Sequence, residues 1–300
     1  MRIASLLPAA TDIVAVLGAG AELVGRTHEC DWPADVVRAV PVVTATALAA
    51  GLSSREISAA VGGDPHGGSS LYQLDLAALE AAAPDVILTQ DLCEACAVSY
   101  QTVNAAVRVM RLDTTVVSLE ARTIGGILDS IDAVAGLLGR AAEAATVRAS
   151  LEQRLAALPG PDPAGPRVLF VEWLDPLMPG GHWVPEQIAR AGGRSLILGP
   201  GEHSVPQPSD VVTGLDPDVI VFGPCGFTME QTRREAAALL GSPPWSGLAA
   251  VRAGRVWTVD GPAYFNRPGP RVVDGAEILT AVLAGSAAPG ALRLGVRGYD

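Results

Sequence analysis

Apolar positions fall along this chain in short continuous runs separated by helical stretches. Arg2–Leu7 reads as a brief apolar strand, and Pro8-Ala9-Ala10-Thr11-Asp12 then opens a helix that Gly18 and Gly20 close. Proline in a first helical turn and glycine just past the last are the expected punctuation. Glu22–Arg26 is a second strand. The order recurs later, with Arg167–Val171 as strand, Val184–Ala191 as helix, Gly192-Gly193 as stop and Ser195–Leu198 as strand.

A second stretch repeats more plainly. Leu76–Ala83 is helical and runs into Pro84-Asp85-Val86-Ile87-Leu88, while Leu215-Asp216-Pro217-Asp218-Val219-Ile220-Val221 copies that ending. Apolar runs that do not alternate with polar residues are strands covered on both faces, and helices between them imply a parallel sheet. Between the halves, Ile127, Ile131, Val134, Leu137, Leu138, Val147, Leu151, Leu155 and Leu158 keep close to helical spacing. That predicts one helix over 123–158, about nine or ten turns long, ended by the proline-rich run 159–166.

The expected architecture is therefore α/β, with two Rossmann-like lobes. Residues 1–122 form an N-terminal lobe, 123–158 a connecting backbone helix and 159–300 a C-terminal lobe. Ligands of such folds bind where parallel strands end, which predicts a cleft between the lobes.

Composition narrows the chemistry. Hydrophobic residues make up 49% of the 300 and charged ones 18%, as in a globular chain. The formal charge is −11, and every one of the 21 basic residues is arginine. Nucleic acid is not an expected partner of so acidic a chain, and without lysine neither a Schiff base nor a P-loop is possible. The opening apolar stretch is too short for a secretory leader and breaks at Pro8, and no run is long enough to insert in a membrane. The expected location is cytoplasmic, with the cysteines as thiols or ligands.

The strand ends carry the distinctive residues. All four cysteines follow an expected strand: Cys30 in Thr27-His28-Glu29-Cys30-Asp31-Trp32, Cys93 and Cys96 in Asp91-Leu92-Cys93-Glu94-Ala95-Cys96, and Cys225 in Gly223-Pro224-Cys225-Gly226-Phe227. Three readings stand side by side. Cys30, Cys93, Cys96 and Cys225, with His28, can hold zinc or an iron–sulfur cluster. Cys93 and Cys96 can be a redox dithiol. All four can equally be uncoordinated thiols that shape a pocket. Aromatic residues, few in this chain, concentrate in the same loops: Trp32, Tyr72, Trp173, Trp183, Phe227, Tyr264 and Phe265. They serve either as rim packing or as flat walls for a planar ligand. His28 and His182, one in each lobe, are candidates for a metal's axial position, for proton chemistry with Glu29 or Glu172, or for ordinary loop hydrogen bonds. No role is assigned to His66 or His203.

Ser5-Leu6-Leu7-Pro8-Ala9-Ala10-Thr11-Asp12, the two Pro-Asp-Val-Ile strands, the central helix and Tyr264-Phe265-Asn266-Arg267-Pro268-Gly269-Pro270-Arg271 together resemble the class III, helical-backbone binding proteins for cobalamin and ferric siderophores. The likeness runs over nearly the whole chain and is greatest to the cobalamin-binding branch. It implies a cobalamin-like corrinoid or related metal chelate gripped by two lobes, with Trp32, Trp173, Tyr264 and Arg271 near it. Exported members dock on a permease through one glutamate per lobe, and the matching positions here are Ala77 and Asp210, with Asp75 or Glu80 as possible substitutes. The expectation is thus a cytoplasmic, leaderless binding protein of that branch, with permease docking doubtful. The alternatives are a metalloenzyme built on the cysteines and an ABC-transporter binding protein separated from its leader.

Overall fold

The computed structural model describes residues 1–60, 72–90, 102–103, 106–107 and 113–294. Contacts divide the chain into two compact units. The first comprises Met1–Leu52, Glu56–Ala121 and Gly125–Ser150, and the second Ser53–Arg55, Arg122–Ile124 and Leu151–Asp300.

The first unit is built on a parallel sheet. Its strands are β1 (Ile3–Ser5), β2 (Leu23–Arg26), β5 (Val86–Thr89) and β6 (Thr115–Ser118), in the order β2-β1-β5-β6. A separate antiparallel ladder pairs β3 (Thr44–Thr46) with β4 (Tyr72–Leu74). All four residues of β5 are buried, as its lack of alternation predicts. Ala4, Leu6, Val43, Leu79 and Ile87 meet in one cluster, so strand and helix faces share a core. The first helix, Pro8–Val16, carries proline in its first turn and ends before Gly18 at φ +72°.

In the second unit, β7 (Arg167–Trp173), β10 (Val219–Phe222) and β11 (Val256–Val259) run parallel at the centre. β9 (Arg194–Ser195) also joins β7 in parallel, while β8 (Met178–Pro179) and β12 (Ala291–Arg293) pair antiparallel at the margins. β10 and β11 are buried throughout. Of the strand expected over Ser195–Leu198 only Ser195 enters the sheet, beside Arg194.

The helix expected over 123–158 is two helices, Ile124–Leu138 and Ala141–Ala156. Gly139 adopts φ +67°, and the N–H of Arg140 reaches back to the carbonyl of Ala135. This six-to-one bond with a left-handed glycine is the Schellman ending, which caps the first helix before Arg140 accepts from Ala144 and starts the next. Apolar spacing runs on across the break, so periodicity alone does not show it. Among the described residues no helix is long and apolar enough to cross a membrane.

Candidate functional site

In the first unit the loop after β2 holds His28, Cys30 and Trp32. Arg26, the last residue of β2, organises it. Its guanidinium donates to the carbonyls of Val37, Val40, Thr27 and Cys30, which occupies acceptors that a loop otherwise leaves open. The Cys30 thiol is buried, 3.0 Å from Thr11 Oγ1 and 3.5 Å from Thr27 Oγ1. Thr11 in turn donates to Ser5 Oγ, so the thiol is packed into a hydroxyl network at the start of the first helix. The backbone N–H of His28 donates to Thr44 Oγ1, its Nδ1 lies 2.8 Å from that same oxygen, and its Nε2 lies 3.5 Å from Glu29 Oε1. Trp32 is half-buried, and Tyr72 opens β4 opposite Thr46. Cys93 and Cys96 lie outside the described residues.

The second unit brings more of the expected residues together. Glu172 and Trp173 end β7. The Glu172 carboxylate accepts from Ser204 Oγ at 2.9 Å and from the Gly181 N–H at 3.3 Å, while its backbone carbonyl accepts from Cys225. One glutamate therefore ties three loops to the end of one strand. The Trp173 ring stands 5.3 Å from that of Phe227, a tilted pair within the range where aromatic contacts stabilise. Phe227 is buried, whereas Trp173 and Cys225 are half-buried.

The loop 179–183 is locked to the loop 199–204. A Cβ on Gly181 would lie 2.6 Å from the Glu202 carbonyl and 2.7 Å from Ser204 N, so only glycine permits this approach. His182 has φ +53°, its N–H donates to the Glu202 carbonyl and its own carbonyl accepts from Gly201. Its Nε2 lies 3.1 Å from His203 Nδ1 and its ring 5.8 Å from that of Trp183. The Trp183 indole is buried, and its N–H meets no acceptor among the described residues.

Tyr264 and Arg271 form a third group, the guanidinium 5.6 Å from the ring centroid. Gln187 secures their segment: it is fully buried, and its Nε2 donates to the carbonyls of Tyr264 and Val272. Gly275 makes room for this amide, since a Cβ there would lie 2.3 Å from Nε2.

Trp173 with Phe227, His182 with Trp183, and Tyr264 with Arg271 are thus neighbours as well as members of one set, and Glu172 links to Gly181 and Cys225. Of the cysteine set only Cys30 and Cys225 fall among the described residues, so whether the four cysteines meet is left open. Among the described residues no group of three or more His, Cys, Asp or Glu side chains is placed to hold a metal. His203, Ser204 and Gln187 are the partners that sequence reasoning missed. A glutamine on an otherwise apolar helix face was the available signal for one of them.

The periplasmic binding protein family model matches residues 3–263. A cobalamin-binding protein of Halobacterium salinarum is 29% identical over 216 residues, which cover 69% of this chain and 55% of the relative. The match therefore spans about half the length of that relative. Among solved structures, a periplasmic heme-binding protein from Pseudomonas aeruginosa superposes with a TM-score of 0.68 at 21% identity, covering 98% of this chain and 99% of that one. The periplasmic vitamin B12 binding protein BtuF of Vibrio cholerae gives a TM-score of 0.60 at 19% identity, covering 94% and 96%. Similarity at this level establishes the shared two-lobe α/β fold.

Proposed function

The chain belongs to the periplasmic binding protein family, and on that basis we propose that it binds a corrinoid, a cobalamin-like metal chelate with a broad flat ring. The observation that carries this reading is the Trp173–Phe227 pair beside Glu172 at the end of β7. It offers an aromatic face next to hydrogen-bonding groups, which suits a ring that is apolar on its faces and polar at its edge. Tyr264 with Arg271 offers a second face with a fixed positive charge. The name of the Halobacterium salinarum relative supports the same ligand class.

The test is direct titration of the full chain with aquocobalamin, hemin and a ferric hydroxamate in parallel, followed by tryptophan fluorescence. Saturable one-to-one binding of aquocobalamin, tighter than either competitor, is the expected result. Binding of hemin or the hydroxamate without cobalamin overturns the corrinoid assignment.

Permease docking in the two-glutamate manner is not part of this proposal. Ala77 and Asp210 are both exposed, but only the second is acidic, and the Asp75 carboxylate is already engaged as the cap of Leu76–Ala82. We place the protein in the cytoplasm, following the sequence expectation. Cell fractionation tests that location, and recovery in an exported fraction overturns it without touching the ligand assignment.

A further inference from the structure

We propose that His182 and His203 form a binding site for a late first-row divalent metal ion of the zinc, nickel and copper class. The site is distinct from any metal carried inside a bound chelate, and the inference does not depend on the corrinoid reading.

Three observations carry it. First, the two imidazoles face each other through ring nitrogens, His182 Nε2 and His203 Nδ1, 3.1 Å apart with the rings at 83°. Two nitrogens bound to one tetrahedral metal at about 2.0–2.1 Å lie about 3.3–3.4 Å apart. The gap therefore needs to open by only a few tenths of an ångström, with a tilt of the rings, to accept an ion.

Second, the arrangement is held before any ion arrives. His182 is a non-glycine residue in the left-handed region at φ +53°, a conformation that costs free energy and persists only where its surroundings enforce it. The enforcement is visible. Its N–H and carbonyl are clamped by Glu202 and Gly201, the neighbouring Gly181 N–H donates to Ser204 Oγ, and Ser204 donates to Glu172. These bonds fix the backbone from which the His182 ring projects, the kind of support a preorganised site needs.

Third, the pair is buried on one side and accessible on the other. His182 is 7% exposed, whereas His203 is half-buried and gives an entry path. Imidazole selects borderline ions over magnesium and calcium, which prefer oxygen. Two histidines supply half a tetrahedral shell, and water or donor atoms of a bound molecule complete it.

The experiment uses the full chain stripped with chelator and titrated with zinc chloride alone, with nickel, copper and magnesium salts in parallel and no corrinoid present. One equivalent of zinc, nickel or copper is expected to bind at pH 7.5 and not magnesium, weakening below about pH 6 as imidazole protonates. The chain has four histidines, so nitrogen NMR of the intact protein can follow each one. The His182 Nε2 and His203 Nδ1 resonances should move on zinc addition. His203→Asn and His182→Asn, the latter suited to the left-handed backbone, should each weaken binding at least the tenfold to hundredfold typical of an outer-shell loss. Cys93→Ser and Cys96→Ser should leave it intact. Unmoved resonances of that pair, unchanged affinity in both histidine variants, or loss confined to the cysteine variants overturns the proposal.

Discussion

The backbone N–H of Arg167 donates to Asp218 Oδ2 at 2.8 Å, and the Arg167 guanidinium pairs with the same carboxylate. Arg2 and Asp85 repeat the backbone part of the arrangement in the other unit, where the Arg2 N–H donates to Asp85 Oδ2 at 2.7 Å. Each arginine also reaches carbonyls at the end of the helix that precedes its partner aspartate, Ala82 and Ala83 in one case and Leu215 and Asp216 in the other. Ala83 and Asp216 both sit in the left-handed region, at φ +40° and +42°. The repeated Pro-Asp-Val-Ile stretch is thus a strand-entry device in which arginine satisfies a helix end and aspartate receives the neighbouring strand.

Hydrogen bonding to Arg167 holds the Asp218 carboxyl below the usual carboxylate range. A carboxyl depressed in the native state stabilises the fold above its unfolded pKa, and that contribution disappears as pH falls through the native value. Asp218→Asn should therefore lower the Tm by roughly 2–4 °C at pH 7, with the difference from the parent closing below about pH 4. Thermal melts at pH 7 and pH 3 check this, and an equal difference at both would remove the ionic part of the account.

Gly181→Ala forces a Cβ against two backbone atoms, the Glu202 carbonyl and Ser204 N. Backbone cannot yield as the end of a flexible side chain can, so overpacking should cost about 1–3 kcal/mol. The loss should concentrate in the two loops. Hydrogen exchange at the amides of Gly201 and His182, which bond across them, should speed up while β10 stays protected. Uniform acceleration throughout the unit would point instead to a global effect.

Much of this fold is legible in the sequence, for a physical reason. The Val86–Thr89 and Val219–Phe222 strands are buried on both faces, and burial of that kind leaves an unbroken apolar run. The break at Gly139 is not legible because glycine interrupts no apolar spacing, and its effect lies in a dihedral angle. At the candidate site, aromatic and acidic residues at strand ends announce themselves. The pairing of His182 with His203 depends on two loops 21 residues apart in sequence, and nothing local records it. Cys30 is a second case: its thiol lies beside the hydroxyls of Thr11, on the first helix, and Thr27, and no local pattern records that neighbourhood.

Trp183→Phe separates stability from binding. The indole N–H is buried with no acceptor among the described residues, so deleting it removes a desolvation cost while the ring still packs. Stability should hold or rise by up to about 1 kcal/mol. If a bound corrinoid supplies the missing acceptor, the same change weakens aquocobalamin binding by roughly tenfold, the value of one hydrogen bond. Denaturant unfolding and titration on one preparation test both arms, and a clear loss of stability would show that the N–H is already satisfied.

Trp173 should respond in the opposite sense, with binding lost and the fold retained. Its ring is half-buried at the end of β7, its Nε1 donates to the Asp175 carbonyl, and it leans on the buried Phe227. Because much of the ring is already solvated, Trp173→Ala should cost the fold less than the roughly 3–5 kcal/mol of a core tryptophan. A wall of a ring-binding site is different, because contact area and stacking are both realised only with ligand present. Aquocobalamin affinity should therefore fall by at least about a hundredfold, as expected where a central aromatic is truncated, with Trp173→Phe recovering most of it. If alanine and phenylalanine bind alike, Trp173 packs the rim and forms no wall, and the flat-ligand reading fails at the residue on which it most depends.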